Sequence, residues 1–136
     1  MIVDTHVLVW LLEGDPRLGH KARQALDRAV QQEAIQVSAI TPWEIAMLVN
    51  KGRLALGRDV GQWIDEAMSQ PGIALVPLEP AIAVDSVRLP GALHADPADR
   101  FIVATARSRG VPLMTADRAL LAYGAGGHVA VLDAAV

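Results

Sequence analysis

The 136-residue sequence contains no cysteine, and aromatic residues make up only 4% of it. Without cysteine the chain cannot form disulfides or thiolate metal sites, and it has no thiol nucleophile. Any metal ion must therefore be bound by oxygen or imidazole ligands. The lack of cysteine also favours a reducing compartment, and we expect a cytoplasmic protein.

Long apolar runs are absent as well. Every apolar stretch is interrupted by Pro, Gly or a charged residue well before it reaches the length of a membrane span. The N-terminus has no basic stretch ahead of its first apolar run and no small-residue cleavage site. We therefore expect a soluble, unprocessed protein with no membrane partner.

Positive charge is scarce too. The net charge of -3 argues against binding nucleic acid through a general positive field, although a local cluster of arginines could still do so. Ten of the twelve basic residues are arginine, whose planar guanidinium suits phosphates and carboxylates. No glycine-rich phosphate loop and no Gly-x-Ser-x-Gly motif is present, which argues against a nucleotide-binding loop and a serine esterase.

The composition fits one globular domain over residues 1–136, because 52% of the residues are hydrophobic and 20% are charged. Short apolar runs alternate with helical patterns along the chain, which predicts an α/β fold with a mainly parallel sheet of five strands. The predicted strands cover residues 2–3, 35–38, 73–78, 112–115 and 129–132, and the predicted helices cover residues 7–12, 18–34, 41–51, 57–69, 80–87, 100–109 and 117–123.

Asp4 lies where the first predicted strand meets the first predicted helix. Ile2 and Val3 are β-branched residues typical of a buried strand, and the apolar run from Val7 to Leu12 follows almost at once. An ionised carboxylate between two buried segments is costly unless a cation or a hydrogen-bond donor meets it. We therefore expect Asp4 to have such a partner.

Three further acids occupy similar positions. Glu44, Asp99 and Asp117 each lie at a strand-to-helix junction, as Asp4 does. Such junctions of a parallel sheet lie at one edge, so the four carboxylates should meet there. They require a cation, and oxygen ligands without Cys or a zinc-spaced His pair favour Mg²⁺ or Mn²⁺. Such an ion can activate a water and stabilise the leaving oxygen of a phosphodiester.

Helix capping is the simpler explanation of the same acids. Residues 41–44 (Thr-Pro-Trp-Glu) and 96–99 (Asp-Pro-Ala-Asp) both have the pattern of a capping box with proline at the first helical position. For the acid that ends each box, cap and ligand remain open alternatives, whereas Asp96 is better explained as an N-cap. Asp117 alone is also better explained as a cap. The joint occurrence of all four acids nevertheless favours a site.

Hydroxyl and imidazole side chains stand beside these acids. Thr5, Ser38 and Thr115 lie at strand ends, where a hydroxyl can orient a carboxylate or a bound water, or can cap a helix. His6 and His94 either line the site or are hydrogen-bonded turn residues. Trp10, Trp43 and Trp63 lie on apolar helix faces, which favours core packing or a partner interface over base stacking.

Four segments, in this order, resemble PIN-domain ribonucleases of the VapC toxin type. They are residues 2–6 (Ile-Val-Asp-Thr-His), 38–46 (Ser-Ala-Ile-Thr-Pro-Trp-Glu-Ile-Ala), 96–106 (Asp-Pro-Ala-Asp-Arg-Phe-Ile-Val-Ala-Thr-Ala) and 113–117 (Leu-Met-Thr-Ala-Asp). The resemblance covers essentially the whole chain. It implies a three-layer α/β/α PIN-like fold with the first strand at the centre of the sheet.

The resemblance also implies a function. In that family, the acids matching Asp4, Glu44, Asp99 and Asp117 bind Mg²⁺ or Mn²⁺, and the hydroxyl matching Thr115 supports them. The implied reaction is endonucleolytic cleavage of RNA by a metal-activated water, which leaves a 5′-phosphate and a 3′-hydroxyl. The resemblance further implies a cognate antitoxin, encoded nearby, that covers the site, and a homodimer formed by the protein's own helices.

Four basic residues follow or adjoin the acid-bearing junctions: Lys51, Arg53, Arg58 and Arg100. We expect them to contact the phosphates of RNA, with an ion pair to a site carboxylate as the alternative for Arg100.

Apolar side chains are more abundant than one small domain easily buries. We expect the first helix and the faces around Ile45, Leu48 and Trp63 to bind a second subunit or an antitoxin helix. The alternative function is a PIN-like module that binds another protein without catalysis. A missing acid would have favoured it, and none of the four is missing.

Overall fold

The computed structural model describes all residues from Met1 to Val136. Strands and helices alternate along the chain as the sequence predicts, and no helix combines the length and apolarity that crossing a membrane requires. The elements are β1 Ile2–Val3, α1 Thr5–Glu13, α2 His20–Gln31, β2 Ile35–Ser38, α3 Ile40–Asn50, α4 Val60–Met68, β3 Ile73–Val76, α5 Pro80–Val87, α6 Pro97–Arg109, β4 Leu113–Thr115, α7 Arg118–Ala125 and β5 Val131–Asp133.

The five strands form one sheet in the order β3-β2-β1-β4-β5, and every neighbouring pair is parallel. β1 is the central strand, because Ile2 pairs with Gln36 of β2 on one side and with Leu113 of β4 on the other. The parallel sheet and its central first strand are therefore confirmed. The strand order reverses between β1 and β4, and ligand sites of such sheets lie at the carboxyl ends of the strands at that point.

Successive residues of a strand point to opposite faces of the sheet. Helices cover both faces, so each face has its own core. Val3 and Met114 belong to one core cluster, which includes buried residues of α1, α2, α3 and α4. Ile2 and Leu113 belong to the other, which includes buried residues of α5, α6 and α7. The three-layer arrangement is thus confirmed, and it holds β1 between two cores.

Most element ends lie within a few residues of the prediction, and β2 and α5 have the predicted bounds. α6 begins at Pro97, one turn earlier than predicted, because proline suits the first turn of a helix and Asp96 caps this one. β3 ends at Val76, earlier than predicted, because Pro77 follows and has no N–H to donate to the sheet.

The apolar side chains expected to form a docking surface are largely buried. Ile45 is 1% exposed and Trp63 is 6% exposed, so the docking prediction is wrong for both. The reason is that two cores, one on each face of the sheet, bury more apolar surface than we expected of a domain this small. Conversely, Trp43 is 52% exposed, which excludes core packing for it and leaves a partner interface as the remaining alternative.

Candidate active site

The four acids expected to meet do so at the carboxyl edge of the sheet. Asp4 follows β1 and Asp117 follows β4, while α3 carries Glu44 and α6 carries Asp99 to the same place. Carboxylate oxygens of Glu44, Asp96 and Asp99 lie within 4.8 Å of one another. Residues from four separate parts of the chain therefore form one acidic cluster.

Asp4 is buried, with both of its carboxylate oxygens hydrogen-bonded. Oδ1 accepts from the backbone N–H of Val7 at 2.9 Å, and Oδ2 accepts from the hydroxyl of Thr115. Burial raises the pKa of Asp4, whereas the two hydrogen bonds and the nearby His6 lower it and Asp117 raises it further. The partners expected for this carboxylate are thus a hydroxyl and an amide, and Asp4 also caps α1.

Thr115 connects two of the acids. Its hydroxyl is fully buried, donates to Asp4 and accepts from the backbone N–H of Asp117 at 3.0 Å. A hydroxyl has one proton to donate and lone pairs to accept with, so both bonds can form at once. Thr115 therefore fixes the Asp4 carboxylate relative to the start of α7, where a supporting hydroxyl was expected.

Glu44 reaches the cluster from within α3. That helix begins directly after Ala39, which makes no side-chain capping bond, so the predicted capping box at Thr41 is wrong. The hydroxyl of Thr41 lies 3.1 Å from the hydroxyl of Thr5 on α1, and the two bond each other. This contact between distant residues replaces the local capping bond that the sequence suggested.

Glu44 is buried, with 8% of the residue's surface exposed. Burial raises its pKa most, and the negative charges of Asp96 and Asp4 raise it further. The Thr5 hydroxyl and His6 act in the opposite direction. A buried carboxyl group beside other acids is stable as an anion only when a positive ion lies beside it.

Ser38, the last residue of β2, is fully buried. Its hydroxyl oxygen accepts from the backbone N–H of Ile40 at 3.2 Å. This bond satisfies an amide at the start of α3, a role that the side chain of Ala39 cannot fill. Ser38 was expected either to orient a carboxylate or water or to cap a helix, and its hydrogen bond matches helix capping.

Asp96 is the N-cap of α6, as predicted. Its Oδ1 accepts from the backbone N–H of Asp99 at 3.0 Å, and Pro97 occupies the first turn. Asp99 contributes only its amide to this cap, so its carboxylate is free to join the cluster. Burial and then the four neighbouring carboxylates raise the pKa of Asp99 to about 8. Asp99 therefore holds a proton near neutral pH unless a cation replaces it.

His94 forms a second group with Asp99 and Asp117, in which the ligand atoms again lie within 4.8 Å of one another. Its Nε2 is 3.2 Å from Oδ2 of Asp99, and its Nδ1 accepts from the backbone N–H of Asp96 at 3.3 Å. His94 thus lines the acidic cluster. Asp99 belongs to both groups and is the residue they share.

Asp117 caps α7, which confirms the structural role predicted for it. Its Oδ1 accepts from the backbone N–H groups of Ala119 at 2.8 Å and Leu120 at 3.1 Å. Neither bond uses Oδ2, and the side chain is exposed. Capping a helix and contributing an oxygen to the cluster are therefore compatible.

The basic residues expected to contact RNA have different surroundings. Lys51 and Arg53 are exposed beyond the C-terminal end of α3, roughly 16 Å along that helix from the sheet edge. Arg58 forms an ion pair with Glu66. The acidic cluster is nearer to Lys51 than the sheet edge is, because Glu44 precedes Lys51 by roughly 10 Å along α3.

Arg100 holds the connection between α5 and α6. Its Nε donates to the carbonyl of Ser86 at 2.8 Å, and its Nη1 donates to the carbonyl of Leu93 at 2.9 Å. These partners are neutral, so the alternative of an ion pair with a site carboxylate is wrong. The guanidinium instead stabilises the loop that carries His94.

The donor set of this edge fits a hard divalent cation. It consists of carboxylate oxygens with one imidazole, and it contains no sulfur. Burial first, and then repulsion from the neighbouring carboxylates, raises the pKa of Asp99, and a cation would offset both. With such an ion bound, the edge could hold a phosphate oxygen and a water side by side.

Residues 1–125 match the PIN domain family. The ribonuclease VapC22 of Mycobacterium tuberculosis is 33% identical to the chain over 123 residues, which cover 90% of this chain and 91% of that protein.

Two solved structures have a similar fold. VapBC2 from Rickettsia felis, bound to a DNA fragment from its promoter, includes a chain with a TM-score of 0.70 and 14% identity, covering 97% of this chain and 96% of that one. A toxin–antitoxin complex from Klebsiella pneumoniae includes a chain with a TM-score of 0.56 and 23% identity, covering 85% of each.

Proposed function

The chain belongs to the PIN-domain family, and we propose that it is a metal-dependent endoribonuclease that acts as the toxin of a toxin–antitoxin pair. The observation that carries this proposal is the convergence of Asp4, Glu44, Asp99 and Asp117 at one edge of the sheet. The 33% sequence identity to a ribonuclease over 90% of the chain supports RNA as the substrate.

The cofactor is Mg²⁺ or Mn²⁺. Asp4, Glu44 and Asp99 would hold it, directly or through water, and Asp117 would complete the negative pocket. When bound, the ion would supply a water of lowered pKa and neutralise charge on the scissile phosphate. The ligands that the chain offers at this edge are mainly carboxylate oxygens, the donors that both ions prefer, with His94 as the one imidazole.

The protein's own groups position the acids. The hydroxyl of Thr115 and the N–H of Val7 fix both oxygens of Asp4. Asp96 binds the amide of Asp99 and so fixes the first turn of α6, from which the Asp99 carboxylate extends. No side chain serves as a covalent nucleophile, because water attacks phosphorus in line. The products carry a 5′-phosphate and a 3′-hydroxyl.

Two protein partners belong to the proposal. One is an antitoxin, encoded nearby, that covers the acidic edge, and a toxin–antitoxin complex of the same fold supports it. The other is a second copy of the chain. A co-purification of the chain with the product of the neighbouring gene, followed by sedimentation of the chain alone, tests both partners.

The decisive experiment is cleavage of RNA by the purified protein. We expect endonucleolytic products with Mg²⁺ or Mn²⁺ and none with EDTA. Asp99→Asn should abolish cleavage, whereas Asp65→Asn, which removes an exposed carboxylate from α4, should not change it. Cleavage that persists in EDTA or in Asp99→Asn contradicts the proposal. A protein that binds its antitoxin but never cleaves RNA would instead be the non-catalytic binding module.

A further inference from the structure

A cleft adjoins the acidic cluster on the side of α1. Its volume is about 180 Å³, and it is lined by Asp4, His6, Trp10, Ala116 and Asp117. Two of these residues are acids of the candidate active site. His6 and Trp10 are not, and nothing described above gives Trp10 a function. The cleft therefore extends the acidic edge onto an aromatic surface.

His6 and Trp10 lie on the same face of α1, because residues four apart on a helix are neighbours. The residues between them, Val7 to Val9, are buried, while His6 is exposed and Trp10 is half-buried. Side chains of a helix tilt toward its N-terminus, so the indole leans back toward the end that carries Asp4. The packing predicted for Trp10 thus accounts for part of the ring, and the rest borders the cleft.

Arg17 adds a fixed positive charge beside the indole. Its Cζ atom lies 5.1 Å from the centre of the Trp10 ring. Asp15 holds the guanidinium there, accepting from Nε at 3.1 Å and from Nη2 at 2.7 Å. Nη1 takes part in neither bond, and the side chain is 68% exposed. The loop after α1 therefore places a cation over the half-buried indole that borders the cleft.

We propose that this cleft binds the nucleobase next to the scissile phosphate, with Trp10 as the stacking surface, His6 at the edge of the base and Arg17 on the adjoining phosphate. The inference rests on the proposed function, because it requires the scissile phosphate to lie at the acidic cluster. An aromatic face beside a cation is the combination by which proteins bind single-stranded nucleic acid.

The charge of the protein supports a nucleobase as the occupant. The net charge is -3, and the cluster itself repels phosphate when no cation is bound. Stacking on an indole is independent of that repulsion. Since bases expose their faces only when they are unpaired, the cleft also selects single strands over duplexes.

The experiment measures binding of a fluorescently labelled single-stranded RNA of roughly 12 nucleotides, a length within the usual range of single-strand sites. All variants carry Asp99→Asn, so that no cleavage occurs during the measurement. Trp10→Leu should weaken RNA binding about fivefold or more, the lower end of base–aromatic stacking. It should leave binding of an abasic ribose-phosphate oligomer unchanged.

Two further variants complete the design. Trp43→Leu, which removes the exposed tryptophan of α3, is the matched control and should bind RNA like its parent. Arg17→Gln should reduce the slope of log affinity against log salt by about 1, as expected for one lost phosphate contact. If Trp10→Leu does not fold, His6→Ala and Arg17→Gln, which alter exposed side chains, carry the test, and the base-dependent loss should appear in His6→Ala.

Several results would overturn the inference. One is equal RNA affinity of Trp10→Leu and its parent, and another is an equal loss for RNA and the abasic oligomer. A third is a loss of affinity only for the product of the neighbouring gene, which would make the cleft a protein-docking site.

The inference and the proposed function can fail separately. RNA cleavage by the parent without base-dependent loss in Trp10→Leu keeps the nuclease and overturns the cleft. Base-dependent binding through Trp10 in a protein that cleaves no RNA supports the cleft and contradicts the nuclease.

Discussion

Thr115 donates its hydroxyl proton to Oδ2 of Asp4 across 111 positions of sequence. The Thr115 hydroxyl oxygen also accepts from the backbone N–H of Asp117, so one side chain joins the acid that follows β1 to the helix that begins after β4. Both the hydroxyl and the Asp4 carboxylate are buried, where an unsatisfied polar group is costly. This one hydroxyl therefore holds Oδ2 of Asp4 and links it to the start of α7.

Thr115→Val tests this link because it keeps the shape and removes the hydroxyl. We expect a loss of about 1–3 kcal/mol in the free energy of unfolding, since Asp4 loses a donor in a buried place. Cleavage of RNA should also slow. The matched control is Thr105→Val in α6, whose hydroxyl bonds only the backbone carbonyl of Phe101 and should cost less than about 1 kcal/mol. Equal losses in urea melts of the two variants would contradict the special position of Thr115.

Asp99→Asn tests the shared acidic pocket. In chelator we expect the variant to be as stable as the parent near neutral pH, where Asp99 already holds a proton, and more stable above about pH 8, where burial and the neighbouring carboxylates oppose the charge of Asp99. Mg²⁺ or Mn²⁺ at a hundredfold excess over Kd should add about 2.7 kcal/mol to the free energy of unfolding of the parent and so raise its melting temperature. The variant should lose most of that rise. The control Asp65→Asn should keep it. A variant that is less stable in chelator yet gains as much from metal as the parent would falsify the pocket.

The pH dependence of stability follows from the raised pKa of Asp99, about 8 against an ordinary value of 3.8. Between these values the folded protein holds a proton on Asp99 that the unfolded chain has lost, so stability falls as pH rises through this window. Burial shifts the pKa of Asp4 and Glu44 in the same direction. Thermal melts in EDTA should show the fall, and Asp99→Asn should flatten its upper part.

The same linkage predicts how metal binding responds to pH. Protons and the ion compete for Asp99, so the affinity for Mg²⁺ should rise as pH increases toward about 8. Isothermal titration at several pH values checks this. An affinity that is constant over that range would show that the ion does not displace the proton of Asp99.

Arg100 and Arg53 provide a contrast between structural and substrate-binding arginines. Arg100→Ala should cost about 1–3 kcal/mol of stability, because two carbonyls lose a charged donor, and should leave the salt dependence of RNA binding unchanged. Arg53→Ala should leave stability within about 0.5 kcal/mol and reduce the salt slope by about 1. Urea melts and binding titrations at several salt concentrations distinguish the two. If neither variant changes the slope, the RNA groove lies elsewhere.

The fold was largely predictable from the sequence because its signals are local. The apolar run of β1, the β-branched pattern of β2 and the Pro-initiated α5 are each decided by neighbouring residues. The N-cap at Asp96 was predictable for the same reason. The convergence of Asp4 and Asp117 followed from topology, since parallel strands end at the same edge, whereas Asp99 lies on α6, which follows α5 and not a strand.

The remaining details depend on contacts between distant residues. Thr41 does not cap α3 because Thr5, from another helix, bonds its hydroxyl. Arg100 bonds carbonyls of a preceding loop, which no local pattern announces. The contact of His94 with Asp99 likewise requires the loop to close back on α6. One signal was available in the sequence: the spacing of four between His6 and Trp10, which places both on one face of α1.

The central position of β1 has a consequence for the protein during its synthesis. β1 leaves the ribosome first, but its partner β4 is made only after six of the seven helices. At roughly 5–20 residues per second, the chain spends several seconds with Asp4 exposed and without Thr115 or Asp117 beside it. A growing chain therefore has no assembled acidic edge until β4 has emerged.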